Sequence, residues 1–149
     1  MKKSVIIISL ILLIIIVICV VGINVMSKTN KGIRHQNSQY EQYLNSEIYG
    51  TDVITLINKA ISNNESYNVN KDKKGLYINN NQNSIQIDLV MITDEETKET
   101  TIYKMEAISK VGITEFIRNF NIAKFKCTKK EYHKDTGKIS YIEISQQYE

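Results

Sequence analysis

The stretch Ser84-Ile85-Gln86-Ile87-Asp88-Leu89-Val90-Met91-Ile92 alternates with a period of two. Ile85, Ile87, Leu89 and Met91 fall on one face, and Gln86 and Asp88 begin the other. Side chains of a strand point alternately to the two faces of a sheet, so this spacing predicts a strand with one buried and one wet face. The buried face needs an apolar cover. Residues 52–62 supply one: Val53, Leu56, Ile57, Ala60 and Ile61 fall at i, i+3, i+4, i+7 and i+8, the stripe of an amphipathic helix. Thr51 or Asp52 can cap its first turn, and Asn63-Asn64 supplies a stop. This stripe is expected to lie on the domain's own sheet rather than on a partner helix.

Working outward, further strands are predicted at 67–70 and 76–79, around the turn Lys71-Asp72-Lys73-Lys74-Gly75. A polar turn at 94–99 leads to a returning strand at 100–106. Ile113, Phe116, Ile117 and Phe120 mark a second short helix, with Thr114 as its cap. Strands at 122–133 and 139–147 flank the turn Lys134-Asp135-Thr136-Gly137-Lys138, and Ala123, Phe125 and Cys127 share an apolar face. Hairpin connections imply an antiparallel sheet with helices packed on one face. The expected fold class is therefore α+β, over residues 47–149.

The amino-terminal end has a different solvent. Residues 5–26 carry no charge and are almost all apolar. As a helix they would rise about 33 Å, enough to cross a hydrocarbon core of about 30 Å. The apolar region of a cleaved signal peptide is usually shorter, about 7–15 residues, and ends at a small-x-small site. Ile23-Asn24-Val25-Met26-Ser27 offers no such site, and Ile18 stands before Cys19 where a lipoprotein signal needs a small residue. The expectation is a retained single-pass signal anchor, 1–26, contacting the lipid bilayer through residues 5–26. Lys2 and Lys3 on one side and Lys28, Lys31 and Arg34 on the other nearly balance, so charge does not set the orientation. The short tail before the apolar run is the layout of a signal anchor that leaves the following domain outside the cell. Residues 27–46 read as a stalk, broken by Gly32, with Tyr40, Tyr43, Leu44 and Ile48 at helical spacing; packing of the tyrosines onto the domain is expected.

Charge and residue usage exclude several classes. The chain of 149 residues has a net charge of +3; without Lys2 and Lys3, 17 basic residues face 16 acidic ones. That balance lacks the basic stripe of a nucleic-acid-binding protein, so no nucleic-acid partner is expected. Two cysteines are too few for a disulfide framework, and the absence of proline excludes Pro-rich linkers. The abundance of Ile, Lys and Asn has the look of an AT-rich coding sequence, so patches such as Asn79-Asn80-Asn81 receive no functional weight.

No motif marks a site. His35 and His133 lack a second histidine or a cysteine at metal-ligand spacing, so no metal is expected. Cys127 is read as a small buried hydrophobe rather than a nucleophile. Asp94, Glu95, Glu96 and Glu99 lack the spacing and the glycine of a calcium loop and read as a solvated turn. None of the six glycines belongs to a nucleotide or nucleophile-elbow loop. Catalytic, cofactor-binding and metal-ligating residues are accordingly expected to be none.

The stretches Ile48–61, Phe125-Lys126-Cys127-Thr128 and Glu131–140 are similar to uncharacterised single-span membrane proteins of AT-rich Gram-positive bacteria. In layout, a basic leader, an apolar helix and a small α+β head resemble type IV pilin-like proteins. The glycine and glutamate of a pilin leader are replaced by Ser4 and Ser9. The resulting expectation is a non-catalytic, membrane-anchored extracytoplasmic module that binds or assembles with cell-envelope proteins, with a pilin-like minor subunit as its sharper form. The alternative is an anchored small-ligand sensor or enzyme with a scattered site.

Overall fold

The structure is a computed structural model describing residues 2–94 and 96–148. It separates into two compact units, Met1–His35 and Gln36–Glu149. Helix α1 (Lys2–Leu44) is long and apolar enough to cross a membrane; its residues up to His35 form the first unit and the rest belong to the second. From Ile11 to Met26 its large apolar side chains are all exposed, and none of the described residues covers them. The expected break at Gly32 does not occur. Without a proline, a single glycine costs only about 1 kcal/mol of helix propensity, too little to stop a helix whose next turns bury side chains.

Those next turns belong to the second unit, where Tyr40 and Leu44 are buried in the core. Asn37 Nδ2 donates to the Gly137 carbonyl at 2.9 Å and its Oδ1 accepts from the Ile139 amide at 3.0 Å. Residues read as stalk thus supply core and strand-end contacts.

Five strands follow the order β1-β4-β5-β2-β3: β1 Ile48–Tyr49, β2 Gln86–Asp94, β3 Glu99–Lys104, β4 Lys124–Tyr132 and β5 Ile139–Gln146. Helix α2 is Gly50–Ser66, α3 Met105–Val111 and α4 Ile113–Phe120. The α+β class holds. The sheet, however, is mixed rather than antiparallel: β2 and β5 pair in parallel, with Ile87 opposite Ile142 and Leu89 opposite Ile144. Turn chemistry specifies only pairing within a hairpin, and both hairpins, β2–β3 and β4–β5, form. Their junction is set by the α3–α4 crossover, which carries the chain back before β4 begins.

Ile87, Leu89, Met91, Phe125, Ile142 and Ile144 form the buried sheet face. Val53, Leu56, Ile57 and Ala60 of α2 pack with them, as the two matching stripes predict. Four local expectations fail. The strands expected at 67–70 and 76–79 do not form; there is one isolated bridge, from Lys71 of the expected turn to Tyr77, and Asp72 Oδ1 takes the amides of Lys74 and Leu76 to turn the chain. The stop at Asn63-Asn64 lies inside α2, which runs on to Ser66 because Asn64 is wholly buried and bonded. The strand expected to 106 ends at Lys104, and Gly112, not Thr114, precedes α4.

Candidate functional site

One concavity is mainly apolar. Met91 and Ile92 of β2, Tyr103 of β3, Ile108 of α3, and Phe116 and Phe120 of α4 line a solvent-open groove of about 410 Å³. Glu115 and Asn119 stand exposed on its rim. Gly112 makes it possible. At φ +118, in a region side-chain-bearing residues avoid, it parts α3 from α4 and lets the two short helices diverge. Phe116 is the floor, with ring centroids 5.1 Å from Phe120 and 6.2 Å from Phe125. The helical period of Ile113, Phe116 and Phe120 identified α4 in the sequence. Helix α3 was missed because residues 100–106 read as a continuing strand, and with it one wall of the groove.

A second feature lies on the opposite, polar face of the sheet. Asp88, buried despite its charge, accepts from Lys104 Nζ at 2.8 Å and 2.7 Å through its two oxygens. Tyr141 Oη lies 3.1 Å from Asp88 Oδ2 and 3.4 Å from Glu143 Oε2, and its single proton serves one or the other. Thr128 Oγ1 donates to Glu143 Oε1 at 2.7 Å from a bulged position between Cys127 and Lys129. Burial, then the neighbouring Asp88 charge, pushes the Tyr141 phenol well above its ordinary range. Each of these groups has a partner within the array, which makes it a fastener of β2, β3, β4 and β5 rather than a set of open ligands.

The third feature is a polar depression of about 440 Å³ lined by residues including Asn79, Asn81, Glu131, Tyr132 and Ser140. His133 borders it but is buried, and its Nε2 donates to the Ser84 carbonyl at 2.7 Å. That bond ties the β4–β5 turn to the start of β2.

The other residues singled out by sequence do not converge. Cys127 is half-buried against the core, and burial raises its thiol above the ordinary range, which lowers its thiolate fraction. Cys19 and His35 are exposed on α1. Asp94 Oδ1 accepts the amides of Glu96 and Thr97, forming a local turn that holds its carboxyl below the usual range; Glu95 lies outside the described residues. The Asn-rich stretch has a structural role that composition concealed: Asn80 Oδ1 accepts the amides of Gln82, Asn83 and Ser84.

No protein-family model matches the chain, and no curated protein or solved structure matches it either.

Proposed function

We propose that this chain is a non-catalytic, membrane-anchored extracytoplasmic module whose head binds or assembles with other cell-envelope proteins, a pilin-like minor subunit being the sharper form. The groove between the β2–β3 end of the sheet and α3–α4 carries the reading. Its lining is mainly aliphatic and aromatic, and it is open enough to receive apolar side chains from a protein surface. The exposed apolar side chains of α1 between Ile11 and Met26 support anchoring, since water would leave them uncovered and lipid would not.

A photocrosslinking residue at Asn119, on the rim, tests this in intact cells, with one at Lys130, remote from the groove, as control. The expected result is an adduct with an identified envelope protein from Asn119 alone, lost when Ile108→Glu is added. Equal adducts from both sites, or adducts only with cytoplasmic proteins, would refute it.

A further inference from the structure

The two edges of the sheet are treated differently. Beyond its short pairing with β1 at Phe125 and Lys124, the β4 edge presents Lys126, Lys129, Lys130 and Glu131. Charges along an edge are a common protection against pairing with other chains. At the other end of the sheet order lies β3, with no partner strand on its outer side among the described residues. Its central residues Thr100, Thr101, Ile102 and Tyr103 are uncharged, β-branched or aromatic, and all exposed; Ile102 is 57% exposed. They have high strand propensity and none of the usual protection.

We propose that the free edge of β3 pairs antiparallel with β3 of a second copy of this chain, with Ile102 facing its counterpart across the two-fold axis. An edge strand offers a row of backbone N–H and C=O groups, so its natural occupant is another extended strand. Self-pairing is limited to a few registers. Residues directly opposed in an antiparallel pair point to the same face, so the two-fold axis must pass through a residue, not between two. Through Thr101, two threonines meet at the axis and Ile102 faces Thr100, so no apolar row forms across the seam. Through Ile102, Thr101 faces Tyr103 and Thr100 faces Lys104, with no like charges opposed. Ile102 sits beside Val90 within the chain, so the joined sheet would carry an apolar row Val90–Ile102–Ile102–Val90. Lys104 remains free to hold Asp88 on that same face. The seam shares Tyr103 with the groove lining, but its strand pairing needs no occupant in the groove.

Disulfide trapping in the full-length, membrane-embedded chain tests it, with Cys19→Ser and Cys127→Ser as background. Ile102→Cys places two thiols directly opposite, at a Cβ separation of about 4.5–5.5 Å. Mild oxidation is expected to give a dimer about tenfold faster than Ile122→Cys, an exposed position that reports random collision. Thr101→Cys, offset diagonally from its counterpart by about 7–8 Å, should be slower than Ile102→Cys. A Thr101→Cys rate equal to or above that of Ile102→Cys, or an Ile102→Cys rate no greater than that of Ile122→Cys, would overturn the pairing. Light scattering of the unmodified chain in mild detergent is a second readout that needs no cysteine background. A dimer reduced to monomer by Ile102→Lys supports the proposal, and a monomeric wild type refutes it.

Discussion

The side chain of Asn64 holds both backbone polar groups of Ile85: Nδ2 donates to the Ile85 carbonyl at 2.7 Å, and Oδ1 accepts its amide at 2.8 Å. All three groups are out of water, and the amide of one side chain substitutes for a neighbouring strand at the entrance to β2. Asn64→Ala would leave a buried donor and a buried acceptor unpaired, each costing about 1–3 kcal/mol. Unfolding of residues 36–149 in denaturant should show a loss of about 2–6 kcal/mol. A loss below about 1 kcal/mol would mean that water or a backbone shift replaces both bonds.

The first residue of α2 sets a second tight contact. A Cβ built on Gly50 would penetrate the Phe120 carbonyl oxygen and lie 2.7 Å from its carbon, so the α2 start and the α4 end touch backbone to side-chain position. Neither atom belongs to a flexible side chain that could swing away. Gly50→Ala is therefore expected to destabilise by about 1–3 kcal/mol or more, against the usual gain from replacing a helical glycine. A melting temperature that rises would show that α4 moves freely.

Elements with a long, regular apolar period were legible: the stripe of α2, the alternation of β2 and the Phe-bearing face of α4 all appear where the spacing places them. The parallel β2–β5 junction was not legible, because no local signal encodes which strands of two hairpins become neighbours. Asn63 and Asn64 misled for a related reason. Asparagine is a turn former by propensity, and whether its side chain bonds its own turn, as Asn80 does, or a distant strand, as Asn64 does, depends on tertiary context. Likewise the groove required α3, whose first residues share the composition of a strand.

Leu56 is fully buried in α2, with Ile57 beside it in the core. Leu56→Ala should cost about 2–5 kcal/mol, a large share of a total near 5–15 kcal/mol for a domain of this size. Leu56→Asp should prevent folding of residues 36–149, measured as loss of the cooperative thermal transition. An unchanged melting temperature would place this face outside the core.

Cys127 offers a chemical probe of the same core. Because its thiol is half-buried and its ionisation is opposed by burial, labelling of the native protein should be slow near neutral pH and rise to the free-thiol rate on unfolding. Cys127→Ala removes one small group and should cost about 1 kcal/mol. Labelling as fast in the native state as in denaturant would contradict the burial.

The array on the open sheet face makes a prediction with a definite pH sign. Tyr141 is held protonated by burial and by the Asp88 carboxylate at 3.1 Å, so its folded pKa lies above the unfolded value of about 10. A raised pKa contributes stability fully below the unfolded value and loses it as pH climbs from there toward the folded one. At neutral pH, Tyr141→Phe should therefore be less stable than the wild type by about 1 kcal/mol, the loss of one hydrogen bond to a charged acceptor at a partly exposed site. Above about pH 10 the wild type must either ionise next to Asp88 and Glu143 or resist doing so at the expense of stability, and phenylalanine faces neither condition. The gap between the two proteins should shrink as pH rises through that window and reverse if the shift is large. The Lys104–Asp88 pair is common to both proteins, so its contribution largely cancels in the comparison. Denaturant unfolding of wild type and Tyr141→Phe at successive pH values from about 8 to 11 measures the gap directly. A gap that stays constant across that range would mean that Tyr141 titrates as it does in the unfolded chain, and that the Asp88–Tyr141–Glu143 contacts are not maintained in solution.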